Sequence, residues 1–485
     1  MSGAHSADGA GEGLPQGGEQ PRIVIIGAGP TGLGAGYRLQ ELGYDDWVVL
    51  EASDRVGGLA TSFTDDDGFT WDIGGHVMFS HYEYYDRLVD RLMGEEYSTL
   101  HREAWVWMED RFIPYPFQNN IKDLDPQTVL ECLSGAVQAS TRAAVAGATG
   151  QAAVPENFAQ WIDATMGPGI AKHFMVPYNY KVWATPAEQM NFVWIGERVS
   201  VVDVESLLRN VLLEKPEKQW GPNSTFKYPL RGGTGFLYEG MRRYVEHKLE
   251  LNTPVVSVDP GEKVVRTADG RVWPYDVLLN TMPLNHLVER TEGAPDAVRA
   301  ATGDLVWSGS HIVGIGVDRP VDSEKNWIYF PESDVPFYRV TYLSNYSPYL
   351  TAGPDQFSLL TETSHSTYKH EDPDTIVDRV VDGLVTTGLL EDGDRERIVA
   401  RWRCSPSMSY PVPSVGRDAA LGTIQPWLRS QGIWSRGRFG GWLYEIGNMD
   451  HSAMQGVEFV DAVLQGTPEA TWIPRGEGEA GAGIR

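Results

Sequence analysis

The chain has 485 residues, 41% hydrophobic and 22% charged, so it can bury a core and is neither disordered nor fibrous. Lys plus Arg is 40 and Asp plus Glu is 66, a formal charge of −26, which argues against loose binding to nucleic acid or anionic lipid because both need basic surface. Two cysteines, Cys132 and Cys404, exclude a disulfide framework and a Cys-rich metal site, and no apolar stretch approaches the roughly 18 residues of a membrane span.

Residues 1–21 carry six glycines, three acids and no Lys or Arg, and read as a disordered tail rather than a signal peptide. Order is expected from Arg22. Ile23–Ile26 is a continuously apolar, β-branched run, as in a strand covered on both faces. Gly27-Ala28-Gly29-Pro30-Thr31-Gly32 follows, then a helical stretch to Leu39 and a second apolar run, Trp47–Leu50. Strand, glycine turn, helix and strand within about thirty residues is the dinucleotide-binding βαβ unit. Gly27, Gly29 and Gly32 allow the tight turn, the backbone approach to a pyrophosphate and the helix–strand packing, with Thr31 in the first helical turn. Glu51 ends the second strand, where a carboxylate accepts hydrogen bonds from ribose hydroxyls.

From about 125 to 213 the pattern is helical, with Val129, Leu133 and Val137, and later Val204, Leu207 and Leu208, at helical spacing. Strands are expected at 255–256, 264–265 and 277–279, and a helix at 234–245. Stretches 310–317, 327–330 and 337–343 read as strands of a second sheet, and 452–464 as a closing helix. The nucleotide-binding region is therefore expected to be discontinuous: a first unit at the N-terminus, further strands and a helix late in the chain. The segment from Arg475 is rich in Gly, Glu and Ala and reads as a second tail.

A second glycine pair, in Arg55-Val56-Gly57-Gly58-Leu59-Ala60, follows Glu51 and lets backbone pass close to a ligand. This arrangement resembles FAD proteins of the amine oxidase and phytoene desaturase type. Gly232-Gly233-Thr234-Gly235, then Val255-Val256, then residues 276–281 match their later signature, and Gly447-Asn448-Met449-Asp450 resembles their C-terminal flavin turn. The resemblance implies FAD contacts at Gly27, Gly29, Thr31, Gly32, Glu51, Gly57, Gly58, Leu59, Val256, Gly447 and Met449. The implied fold is α/β: a discontinuous Rossmann-type FAD-binding domain (22–110, 224–285, 432–466), a helical substrate and flap insertion (111–223) and a second, antiparallel sheet domain (286–431), with tails at 1–21 and 467–485.

Longer strings narrow the family. Residues 72–82 around Gly74-Gly75-His76, Pro114-Tyr115-Pro116-Phe117-Gln118, residues 175–184, Gly196-Glu197-Arg198-Val199, residues 220–226, Pro336-Phe337-Tyr338-Arg339 and residues 434–440 closely resemble UDP-galactopyranose mutase, in the long form typical of fungi and protozoa. The resemblance is collinear from about 22 to 466. An acidic protein that binds a diphosphate needs local cations in fixed positions, and arginine's planar fork grips phosphate oxygens bidentately. Arg198 and Arg339 match the family's diphosphate arginines, and Tyr329, Tyr410 and Tyr444 its phosphate-holding tyrosines. Tyr115, Phe117 and Gln118 match its uracil pocket; Asn179, Trp183, Asn223 and Asn448 match positions near the sugar and flaps. His76 matches the histidine beside flavin N5, and no H-E-x-x-H or C-x-x-C suggests a metal.

The resemblance implies a non-redox interconversion of UDP-galactopyranose and UDP-galactofuranose, with N5 of reduced FAD as nucleophile on the anomeric carbon. NADPH or NADH is the implied reductant, with Arg102 and Arg438 as candidate contacts. Gln219 and Leu443 depart from the fungal pattern at the edge of this region, leaving open another reductant preference or another nucleotide hexose. A redox oxidase or desaturase of the same fold, or an inactive nucleotide-sugar-binding protein, are the competing readings. The expected setting is cytoplasmic, with no nucleic acid, no membrane and a homo-oligomer left open.

Overall fold

The computed structural model describes residues 20–150, 153–196, 199–214 and 224–474. Five short strands form a parallel sheet in the order Ile433–Ser435, Val277–Asn280, Ile23–Ile26, Trp47–Leu50, Leu249–Glu250. The central strand explains its own composition. Ile23 and Ile25 pack into one hydrophobic cluster, with helices Pro30–Glu41, Gly235–Val245 and Met449–Gln465; Val24 and Ile26 pack into another on the opposite face. A strand buried on both faces has no polar positions to alternate.

The first and last helices cross closely. A Cβ on Gly34 would lie 2.3 Å from the Ala453 carbonyl oxygen, and one on Gly456 would lie 2.0 Å from that of Thr31. Only glycines at this crossing let the last helix dock on the first. The expected discontinuity is thus physical: the sheet takes strands from both ends of the chain.

A second, larger sheet runs Ile398–Cys404, Trp307–Val317, Phe357–His365, Arg339–Tyr342, Trp327–Tyr329, Ala104–Met108, Arg111–Pro114, with Tyr410–Pro411 pairing on Trp307–Val317. It departs from the sequence reading in two ways. Trp327–Tyr329 pairs parallel with Ala104–Met108, so the sheet is mixed rather than antiparallel. The hairpin at 104–114 also belongs to this sheet, across the limit expected at residue 110. Ala104–Met108 alternates buried and half-buried, a pattern that names a strand but not its sheet.

The helices Pro126–Thr149, Phe158–Ile170 and Val176–Trp183 share a hydrophobic cluster with Val106, Met108 and Ile113 of the 104–114 hairpin. The last two join through a π-helical turn, Ala171–Met175, after a kink at Gly167-Pro168. Such turns rotate the following side chains out of α-helical register. Among the described residues no helix is long and apolar enough to cross a membrane.

Candidate active site

The cofactor side is built from backbone. Gly27 has φ of +97°, and a Cβ on Gly32 would sit 1.9 Å from the Gly27 carbonyl oxygen, so neither position tolerates a side chain. The second glycine turn docks on the first: Gly57 N donates to Ala28 O at 2.9 Å, and the Cβ position of Gly58 is 3.4 Å from Gly29 Cα. Helix Pro30–Glu41 begins here with no side-chain cap and no acid in its first turn, leaving its positive end for an anion. Glu51 accepts from Ala28 N at 2.7 Å through one oxygen and from Ser53 N and Oγ at 2.8 Å through the other. The oxygen that meets Ala28 N keeps a lone pair for a ribose hydroxyl, while the other is engaged twice by Ser53. Thr253 N donates to Glu51 O, which brings the strand Val255–Asp259 alongside. Val256 lies at a bulge there, between the pairs Val255–Thr267 and Ser257–Arg266, so the ladder leaves its backbone unassigned. Leu59 is half-buried in the turn Gly58–Ala60.

Gly232-Gly233-Thr234-Gly235 serves the same site from beneath. The buried Asp72 carboxylate accepts from Thr234 N and Oγ1, Tyr228 OH and Ser62 Oγ at 2.5–3.1 Å, and a Cβ on Gly233 would lie 2.4 Å from its Oδ1. This network holds the strand Thr70–Asp72, from which residues 73–76 lead to His76. Burial depresses the His76 imidazole pKa, and Arg438 and Arg339 lower it further against the opposing pull of Asp72 and Glu362, so the ring is neutral at pH 7. Its buried Nδ1 finds no hydrogen-bond partner among the described residues. An orphaned ring nitrogen beside a glycine cradle, an uncapped helix and a ribose-ready carboxylate is what a bound flavin dinucleotide would satisfy, and the residues present fit FAD.

The substrate side is built from side chains. A cavity of about 190 Å³ is lined by Tyr115, Gln118, Asn179, Trp183, Tyr329, Arg339, Tyr410 and Tyr444, all singled out from sequence, and also by Phe174, Tyr178, Trp194 and Tyr338, which were not. Arg339 Nε donates to Glu362 Oε1 at 2.6 Å; among the described residues its terminal nitrogens make no hydrogen bond. Glu362 also accepts from Gly75 N at 3.0 Å and Tyr338 OH at 2.6 Å, and Tyr338 OH meets Tyr410 OH at 3.0 Å. Burial opposes both charges of the pair. Their mutual attraction prevails, so the Glu362 carboxyl stays below and the Arg339 guanidinium above its ordinary pKa. Burial, then the Glu362 charge, pushes the Tyr410 phenol up to about 12, and burial raises Tyr329 and Tyr115 too. All three remain O–H donors at neutral pH.

Several expected contacts fall elsewhere. Phe117 is wholly buried one layer behind the cavity, stacked on Phe174 at 4.6 Å, and Phe174 stacks on Tyr178 at 5.1 Å. The π-helical turn decides this by presenting Phe174 and Met175 to the cavity, a shift that 3.6-residue periodicity cannot reveal. Asn179 uses its amide inside its own helix, donating to Met175 O at 2.7 Å and accepting from Trp183 Nε1 at 3.3 Å, so it orients Trp183. Gln118 donates to Ser200 O at 2.6 Å, while its buried Oε1 has no partner among the described residues. Asn448 and Met449 sit at the cap and first turn of the last helix, outside this cavity. Arg438 donates to Ser409 O at 3.0 Å and Gly447 O at 3.1 Å and lies over the Tyr410 and Tyr444 rings. Arg102 is nearly buried over the Tyr115 ring. Leu443 is core. Arg198, Asn223 and Gln219 lie outside the described residues.

Glu362 had no motif to announce it; its pairing with Arg339 arises only when strands 357–365 and 339–342 align. Lys181 was also missed. It is buried, donates to Glu332 O at 2.6 Å and Val335 O at 2.9 Å, and so ties the helix of Asn179 and Trp183 to the loop that delivers Tyr338 and Arg339.

A family model for flavin-containing amine oxidoreductases matches residues 30–473. The crystal structure of reduced UDP-galactopyranose mutase is 42% identical, covers 93% of this chain and 96% of that one, and superposes with a TM-score of 0.89. A conjugated-linoleic-acid-producing fatty acid isomerase from P. acnes shares the fold, at 17% identity, a TM-score of 0.61, and 91% and 98% coverage. Polyamine oxidase 7 of Oryza sativa subsp. japonica is 54% identical over 39 residues, so this chain spans only 8% of that relative's length. The chain belongs to the flavin-containing amine oxidoreductases and, within them, to the UDP-galactopyranose mutases, a class of isomerases.

Proposed function

We propose that the chain interconverts UDP-galactopyranose and UDP-galactofuranose without net redox change. The observation that carries this reading is the convergence of Arg339, Tyr329, Tyr410 and Tyr444 on one cavity, tied to the His76 loop where Gly75 N donates to the Glu362 that holds Arg339. When bound and reduced, FAD supplies the nucleophile that displaces UDP from the anomeric carbon. The chain's own residues handle the leaving group. Arg339, oriented through Nε by Glu362, offers its outer nitrogens to the diphosphate, and the neutral tyrosines donate to its oxygens as negative charge grows on departure. The same contacts keep UDP in place for its return, an advantage of proximity rather than of bond-making. The unpartnered Gln118 Oε1 accepts from the base edge, and Tyr178, backed by Phe174 and Phe117, supplies an aromatic face. Neutral His76 holds its Nδ1 toward the cofactor as an acceptor. Trp183, positioned by Asn179 and set edge-on to Tyr444 at 4.7 Å, keeps water from the sugar. Arg198 and Asn223 belong to the proposal as further diphosphate and sugar contacts, and NADPH or NADH as reductant.

The test is anaerobic incubation of the flavin-loaded protein with UDP-galactofuranose, with and without dithionite, followed by chromatography. Conversion to UDP-galactopyranose in the reduced sample alone is expected. A fully reducible flavin with no conversion in either sample would refute this substrate pair.

A further inference from the structure

The last helix begins with Met449, Asp450 and His451, and the loop that carries His76 ends at His81. The Asp450 side chain is 1% exposed. Its Oδ2 lies 2.7 Å from His81 Nδ1 and accepts the His81 backbone N–H at 3.2 Å, while its Oδ1 lies 3.1 Å from His451 Nδ1. The two imidazole rings are 4.8 Å apart at 48°. One ligand atom from each of the three side chains lies within 4.8 Å of the other two, the one such group among the described residues. The loop is preset: Ser80 Oγ meets both the N–H and the carbonyl of Tyr82, at 2.9 and 3.0 Å.

We propose that His81, Asp450 and His451 form a binding site for one divalent d-block cation of the zinc, cobalt or nickel type. Two imidazole nitrogens and one carboxylate oxygen suit these borderline ions, whereas magnesium and calcium take oxygen cages. Metal–ligand bonds of about 2.0–2.1 Å place tetrahedral ligand atoms roughly 3.3 Å apart. The observed N···O separations, 2.7 Å from His81 Nδ1 to Oδ2 and 3.1 Å from His451 Nδ1 to Oδ1, are within a few tenths of an ångström of this but run to the two different Asp450 oxygens, so binding requires the carboxylate to turn and present one oxygen as the rings back away. No oxidant is required: with its ring hydrogen on Nε2, each imidazole gives the Nδ1 lone pair to the metal. His81 is 28% exposed, which leaves an entry path and room for water as a fourth ligand. The positive end of the last helix opposes a cation here; the buried carboxylate and the overall negative charge counter it. An occupied site would staple the His76 loop to the helix whose first turn faces the cofactor. Local motifs could not reveal it, because His81 and Asp450 are 369 positions apart.

The test uses the full-length, flavin-loaded protein, stripped with EDTA, equilibrated with zinc or cobalt chloride, desalted, and counted for metal by mass spectrometry. About one equivalent is expected, with magnesium chloride leaving none. His81→Gln and His451→Gln, each with unchanged flavin content and circular dichroism, should each lower the affinity at least tenfold. X-ray absorption at the zinc edge should show two imidazole nitrogens. Retention below about a tenth of an equivalent in the unsubstituted protein, or equal retention in both variants, would overturn the site. The readout counts metal rather than turnover, so it stands apart from the mutase reading.

Discussion

The cofactor cradle and the side-chain cavity are made differently. The cradle is backbone: glycines where a Cβ would strike a carbonyl, an uncapped helix end, and one carboxylate held by amides. The cavity is side chain: an arginine, a ring of tyrosines and an aromatic stack drawn from strands, a π-helical turn and loops far apart in sequence. A backbone site is intolerant of added atoms and indifferent to most chemistry around it. A side-chain site tolerates small changes in shape but depends on the charge and hydrogen bonds that aim each group.

Substitutions in the two regions should therefore fail differently. Gly32→Val should have the largest effect, because its Cβ would meet backbone that cannot yield. Flavin content, read as visible absorbance per protein, should fall at least about tenfold; a variant that purifies fully yellow would contradict the cradle. Arg339→Lys should leave flavin content intact and lower kcat/KM roughly 10²–10³-fold, about 3–4 kcal/mol, because a point charge replaces a fork aimed by Glu362. Equal losses of flavin and turnover would erase the distinction between the regions.

Lys181→Met sharpens the comparison through pH. Burial, with the neighbouring Lys369 charge, holds this amine down to about 7, against 10.5 in the unfolded chain. A depressed folded pKa gives stability that is present above pH 10.5 and is lost as pH falls toward 7, where the unfolded chain takes up a proton and the folded chain does not. Denaturation midpoints of the two proteins across pH 7–10.5 should show a slope in the parent that is missing in the variant; parallel curves would place Lys181 in contact with water. Phe117→Leu should be mildest. Set behind Phe174, it should cost about 1–2 kcal/mol of stability and raise KM a few-fold without changing kcat, as steady-state kinetics and melts would show.

Local chemistry explains what could be read from the chain directly. Gly27, Gly29, Gly32 and Glu51 lie within one βαβ unit, where spacing along the chain and spacing in space are nearly the same. Eight of the residues named by the matched strings line one cavity. Phe117 was named in the right string but in the wrong layer, because a π-helical turn put Phe174 in front of it. The expected limit at residue 110 cuts through the hairpin at 104–114, whose burial pattern names a strand but not the sheet it joins.

By itself, then, the sequence determined the cradle, the two-sheet α/β plan and half of the cavity's lining, since these follow from periodicity, from glycine's lack of a Cβ and from contiguous strings. Only the tertiary structure decided which buried charge aims Arg339, which ring faces the cavity, how Lys181 ties a helix to a loop, and that His81 meets Asp450. Each of these is a contact between segments whose separation along the chain carries no information about their distance, and a hydrogen bond or a steric clash acts only on distance and direction.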